Sequence, residues 1–167
     1  LALAMILAVG CGATPDTDSG SNKDGADLKI GVILLHDESI GYDKAHIDGI
    51  KEGAKNNGIA ESSIIWKKSV PEEAACADAA RDLAAQGCDL IISDSYGHQD
   101  YVGEVAAEYP EITFVSMTGD KAASSGLKNL KNAFTNVFES RYISGVVAGM
   151  KLAELIADGK LTDANYD

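Results

Sequence analysis

The stretch Leu28-Lys29-Ile30-Gly31-Val32-Ile33-Leu34-Leu35 decides the fold. It is an almost unbroken β-rich apolar run. Such a run is expected of a strand covered on both faces, whereas a strand with one face in water would alternate. A polar loop, His36 to Gly41, follows it, and over Tyr42–Asn57 the residues Ala45, Ile47, Ile50 and Ala54 recur near helical spacing before Asn57-Gly58 supplies a stop.

The alternation continues downstream. Ser63–Val70 predicts a second strand, and Pro71-Glu72-Glu73 opens a second helix that carries Cys76, Ala79, Ala80 and Leu83 on one face and ends at Gly87. Asp89–Ser93 predicts a third strand, His98–Tyr109 a third helix stopped by Pro110, Ile112–Met117 a fourth strand and Ala133–Phe138 a fifth. Strands alternating with helices every 25–30 residues or so call for parallel βαβ units with right-handed crossovers. The expected fold class is α/β, a doubly wound parallel sheet.

Ligands of such sheets bind outside the carboxyl ends of the strands. Here those ends read His36-Asp37-Glu38-Ser39, Asp94-Ser95-Tyr96-Gly97 and Thr118-Gly119-Asp120. All are short and rich in hydrogen-bonding groups. No GxGxxG follows the first strand, and neither a phosphate-binding GxxxxGK[ST] nor a GxSxG elbow occurs, so no nucleotide or other cofactor is expected. His36 and His98 could face the crevice, and Asp37, Asp94 and Asp100 beside them raise metal or acid–base chemistry. Polar lining of a solute cleft is the plainer reading, with His46 a solvated helix residue. A binding module therefore outweighs an enzyme.

Composition bounds the partners. Of 167 residues, 26 are acidic and 14 basic, a net charge of −12, and 46% are apolar, the proportions of a globular domain. Beyond Lys67–Lys68 the basic residues do not cluster, which argues against a nucleic acid partner. No apolar run reaches the length of about 18 residues that a membrane span needs. Cys76 lies near the start of the second helix and Cys88 just past its end, so their Cα atoms are expected about 15 Å or more apart, beyond the roughly 7 Å a disulfide allows; both read as small buried apolar residues.

The first residues carry a separate signal. Leu1 to Gly10 are apolar or small and run into Cys11, like the end of a secretory signal h-region. Leu7-Ala8-Val9-Gly10-Cys11 resembles a bacterial lipobox, which would make Cys11 the acylated residue and tie the protein to the extracytoplasmic face of the cell membrane through a lipid anchor. Gly12 to Asp27 contain no Val, Ile, Leu or aromatic residue and read as a flexible tether.

Several longer stretches carry a family resemblance. Tyr42-Asp43-Lys44-Ala45-His46-Ile47-Asp48-Gly49-Ile50, Gly87-Cys88-Asp89-Leu90-Ile91-Ile92, Tyr109-Pro110-Glu111-Ile112-Thr113-Phe114 and Phe138-Glu139-Ser140-Arg141-Tyr142-Ile143-Ser144-Gly145 resemble the basic membrane protein family of lipoproteins. Its members are substrate-binding components of ABC importers, many of them for nucleosides. The resemblance implies two lobes of the type I periplasmic-binding fold with a solute closed between them, and a permease and an ATPase as partners. It assigns residues 28–138 to the first lobe and 139–167 to the start of a second, truncated one, after a signal remnant (1–11) and tether (12–27).

Carried over residue by residue, Asp37 matches an acid that holds the ligand. Tyr42-Asp43 stands where relatives have an aromatic-Asn pair, keeping the ring and exchanging the amide for a charge. Ser95, Tyr96 and Gly97 match the loop after the third strand, and Ser140-Arg141 replaces a Gly-Ser pair. Asp37, Tyr42, Asp43, Ser95, Tyr96 and Gly97, with the strand-end residues Glu38, Ser39, Asp94, Thr118 and Gly119, form the expected solute site; no metal is expected. A sensory or regulatory protein of the same fold is the alternative, which a receptor kinase encoded nearby would favour over a permease and ATPase.

Overall fold

A computed structural model describes residues 27–162. Cys11, the lipobox and the tether lie outside the described residues, apart from Asp27.

Five parallel strands form the sheet: β1 (Ile30–Ile33), β2 (Ile64–Lys67), β3 (Leu90–Ser93), β4 (Thr113–Met117) and β5 (Leu130–Ala133), in the order β2-β1-β3-β4-β5. The helices are α1 (Gly41–Asn56), α2 (Ala74–Ala85), α3 (Gln99–Glu108), α4 (Ala122–Ser125) and α5 (Val137–Ala157), with 3-10 turns at Glu61–Ser63 and Tyr96–His98. The doubly wound α/β arrangement is the one the alternation predicts. β1 pairs with both β2 and β3, in the registers Ile30↔Ile64 and Ile30↔Leu90, so the strand order reverses at β1.

The unbroken apolar character of β1 has its explanation in the two layers it joins. All four of its residues are buried. Ile30, Val32 and Leu34 pack with Ile47 and Ala54 of α1 on one face, while Ile33 joins Leu83, Ile91, Val102, Val105 and Phe114 under α2 and α3 on the other. Gly58 and Gly87 adopt φ of 73° and 80° just past α1 and α2, the left-handed conformation that closes a helix. Arg81 of α2 bridges to Glu104 and Glu108 of α3 at 2.6 and 2.7 Å across the exposed rim of that layer. Cys76 and Cys88 are free and buried, and desolvation pushes the Cys76 thiol up to about 12.

Three expectations need correction. The fifth strand is not Ala133–Phe138 but Leu130–Ala133; Phe134 is exposed and the apolar residues after it open α5 at Val137, two residues before the expected start of the second lobe. The second helix begins at Ala74 rather than at Pro71, because Glu72 is drawn off to the β3 loop. His98 is fully buried with Nε2 donating to Val70 O at 2.9 Å, so it does not face the crevice. α5, 21 residues long, buries no side chain against this lobe.

Candidate functional site

The strand order reverses between β1 and β3, and in doubly wound sheets that reversal opens a crevice at the carboxyl ends of the strands. The loops leaving β1, β3 and β4 meet there. Backbone bonds such as Ser69 N–H to His36 O at 2.8 Å and Thr118 N–H to Ala133 O at 2.7 Å tie them to the sheet, and side chains hold the rest.

On the β1 loop, Asp37 Oδ1 accepts the Ser39 amide at 2.9 Å and the Ser39 hydroxyl at 2.5 Å, which lowers the Asp37 carboxyl below its ordinary range. Glu38 is turned outward to Lys68, 2.6 Å away. Tyr42, in the first turn of α1, reaches across the reversal point and donates its hydroxyl to Asp94 O at 2.9 Å while its ring stays 48% exposed. Edge-to-face contact with His46, at a centroid distance of 4.6 Å, fixes the ring.

On the β3 loop, Glu72 accepts the Ser95 hydroxyl and, at 2.8 Å, the Gly97 amide. These bonds lower its carboxyl, Ser95 contributing most. Tyr96 is 53% exposed and its hydroxyl reaches Asp120 on the β4 loop at 3.3 Å. On that loop, Thr118 has φ 58°, a conformation a β-branched residue rarely adopts. Gln99 holds the loop in place: its Oε1 accepts the amides of Asp120 and Lys121 at 2.9 and 3.1 Å. Asn132 Oδ1 accepts the Ala122 amide at 2.7 Å.

Two residues expected at the solute surface lie beneath it. Asp43 and Asp94 are both 0% exposed, because the first turn of α1 folds over the exit of β3. Asp43 Oδ1 accepts the His36 amide at 2.7 Å, and Asp94 Oδ1 accepts the Leu35 amide at 3.0 Å. Burial, with the Asp43 charge adding to it, raises the Asp94 carboxyl to about 7. Gly119 is buried too: a Cβ there would stand 2.8 Å from Ser116 Oγ and 2.9 Å from Gln99 Oε1. Asp37, Ser39, Tyr42, Ser95, Tyr96, Gly97 and Thr118 remain partly or fully accessible.

Glu72, Gln99 and Asn132 were not singled out in the sequence. The signal for Glu72 was a carboxylate just after a strand, which reads equally well as a helix-opening acid. Nothing local marks Gln99 or Asn132. A shallow depression of about 610 Å³, lined by Lys51, Lys55, Ile59 and Glu61, sits by the end of α1, at the amino ends of the strands and away from these loops.

The Gly119 packing carries a test. Gly119→Ala is expected to push the β4 loop off Gln99 and lower stability by about 1–3 kcal/mol. Gly103→Ala, inside α3 with only ordinary contact to Leu130 at 3.5 Å, is expected to raise it by roughly 0.5–1 kcal/mol. Chemical denaturation of both variants checks this; equal effects would show that the loop has no such constraint.

Residues 32–158 match the family described as ABC transporter substrate-binding protein PnrA-like. The chain belongs to the Bmp family. A purine-binding protein of Brucella abortus (strain 2308) is 28% identical over 122 residues, 72% of this chain and 33% of its own. A Haloferax volcanii protein named for ABC-transporter glucose binding is 26% identical over 143 residues, 83% of this chain and 34% of its own. The Bmp chain thus spans about a third of the length of these curated relatives.

Among solved structures, an ABC transporter solute-binding protein from Conexibacter woesei superposes with TM-score 0.55 at 18% identity, over 64% of this chain and 35% of the other. A transcriptional activator of the comK gene from Bacillus halodurans does so with TM-score 0.50 at 19% identity, over 62% and 33%. At these identities both are likenesses of fold. The fold of this Bmp chain is that of a periplasmic-binding lobe, and its family is one of binding proteins rather than enzymes. Among the described residues no helix is long and apolar enough to cross a membrane.

Proposed function

We propose that the carboxyl edge of this sheet is one wall of a solute cleft, and that the protein carrying this chain binds a nucleoside there and delivers it to the permease and ATPase of an ABC importer. The observation that carries the reading is the pair of half-exposed tyrosine rings, Tyr42 and Tyr96, each fixed by its hydroxyl on a loop that also presents hydrogen-bonding groups. A planar base stacks on such rings, worth about 0.5–1.5 kcal/mol per aromatic partner beyond the area covered. Asp37 turns Oδ1 to Ser39 and keeps Oδ2 for a sugar hydroxyl or a base N–H. The purine-binding name of one relative supports the base, and the glucose-binding name of the other supports only a small polar solute. Cys11 acylation at the extracytoplasmic face belongs to the same reading.

The test is a thermal-shift screen of a two-lobed protein of the relatives' length against nucleosides, free bases, sugars and amino acids, followed by calorimetry. Asp37→Ala is expected to weaken nucleoside binding tenfold or more, from the roughly 1.5–3 kcal/mol of a hydrogen bond to a charged group. Stabilisation by sugars or amino acids but by no nucleoside would overturn the ligand assignment, and unchanged affinity in Asp37→Ala would remove Asp37 from the site.

A further inference from the structure

The exits of β1 and β3 are joined by two acids, and among the described residues the basic groups that reach them are His36 and His98. The Asp43 and Asp94 carboxyls lie within hydrogen-bonding reach of each other, both fully buried. Consecutive amides of the chain leaving β1 are divided between them: Leu35 N–H goes to Asp94 Oδ1 and His36 N–H to Asp43 Oδ1. The Tyr42 hydroxyl is on the carbonyl of the same Asp94. Asp94 Oδ2 has no hydrogen-bond partner among the described residues.

The groups facing the pair do not neutralise it. From the 3-10 turn, His98 donates Nε2–H to Val70 O, and its Nδ1 stands 4.0 Å from Asp94 Oδ1 with no partner of its own. Burial lowers that imidazole below its ordinary value, which favours the uncharged ring with a bare Nδ1. From the β1 loop, His36 Nδ1 reaches only Asp43 Oδ2, at 3.3 Å, from a half-exposed side chain. Tyr42 and His46 approach from α1 and Cys76 from α2, while Glu72 faces His98 and Cys76, and none of them supplies a fixed positive charge. Two bare carboxylates in contact in a buried site repel, and such pairs resolve the conflict by retaining a proton. Asp43 lies in the first turn of α1, where the helix dipole favours negative charge.

We propose that Asp43 and Asp94 share one proton, carried on Asp94 Oδ2 toward Asp43, and that this buried pair is a positioning device holding the β1 loop and the Tyr42 ring at the solute wall. The proposal rests on the reading of that edge as a solute wall. It makes the wall proton-dependent. The Asp94 carboxyl lies above its ordinary 3.8 in the folded chain, so the stability it confers is present at acid pH and is lost as the pH rises toward about 7. Losing the proton loosens the two amides and the ring together.

The experiment has two arms. In the 167-residue chain, the Leu35 and His36 amide resonances are followed by NMR from about pH 5 to about pH 8, with Asp94→Asn, Asp43→Asn and His36→Gln alongside. The two amides are expected to titrate together with one midpoint in the wild type and in His36→Gln. That shared titration is expected to vanish in Asp94→Asn and to move to lower pH in Asp43→Asn. A shared titration that survives Asp94→Asn, or one abolished only by His36→Gln, overturns the pair. Should Asp94→Asn fail to fold, Asp43→Asn decides alone, and no downward movement overturns the pair.

In the second arm, adenosine binding to a two-lobed protein is measured across the same range. Affinity is expected to fall by about tenfold as the proton leaves and to be flat in Asp94→Asn. A flat wild-type profile beside an intact amide titration overturns the positioning role. Absence of adenosine binding at every pH counts against the nucleoside reading, and the first arm still decides the pair.

Discussion

Phe114→Ala is expected to cost about 3–5 kcal/mol, a large share of the roughly 5–15 kcal/mol that holds a domain of this size together. Phe114, the second residue of β4, is 0% exposed, in register with Ile91 of β3 and Leu130 of β5, and it packs under α2 and α3. Deleting the ring removes its transfer energy and leaves a cavity that neighbours fixed on three strands fill only in part. Phe138→Ala, at 67% exposure on α5, is expected to stay within about 0.5 kcal/mol. Urea unfolding of the two variants beside the parent chain makes the comparison. Equal losses would mean that α5 is part of the same cooperative core.

The two phenylalanines also mark where the sequence could be read and where it could not. β1 was visible because it is covered on both faces, and β3 and β4 because each shows as an apolar run bounded by polar loops. β5 was misplaced by three residues at its start because it is an edge strand: Leu130 is buried, Lys131 between it and Asn132 is exposed, and the alternation is too weak to stand out. The stronger apolar signal next to it, Phe134 to Phe138, belongs to a loop and the opening of a helix whose apolar side this lobe does not cover.

The site followed the same division. Which loops converge is fixed by topology, and the strand-end positions of Asp37, Tyr42, Ser95, Tyr96 and Thr118 could be read from the strands themselves. What each side chain does there depends on residues distant in the chain. Asp94 and Asp43 are 51 positions apart and meet only when α1 folds back over β3, so the burial of two acids, and the proton that burial retains, has no local signature. Glu72 similarly finds Ser95 and Gly97 across the crevice.

Hydrogen exchange is expected to divide the chain sharply at Val137. Amides of β1, β3 and β4 should exchange only through global unfolding, and those of α5 should be faster by several orders of magnitude. The reason is what α5 lacks. Val137, Phe138, Tyr142, Ile143, Val146, Val147 and Met150 are all more than two-fifths exposed, so the helix draws no tertiary stabilisation from this lobe. A helix of 21 residues held by its own backbone bonds alone is marginal in water, and Gly145 and Gly149 each weaken it by about another 1 kcal/mol relative to alanine. Covering an aliphatic side chain is worth about 1.5–3 kcal/mol. Several such side chains on one segment therefore favour association as the concentration rises. Sedimentation should show mass increasing with concentration, and Val147→Glu should reverse that increase without moving the urea midpoint of the sheet. Slow exchange throughout α5 in a strict monomer would contradict both expectations. It would mean that the helix packs on the lobe in solution, with its apolar side chains in the core rather than in water.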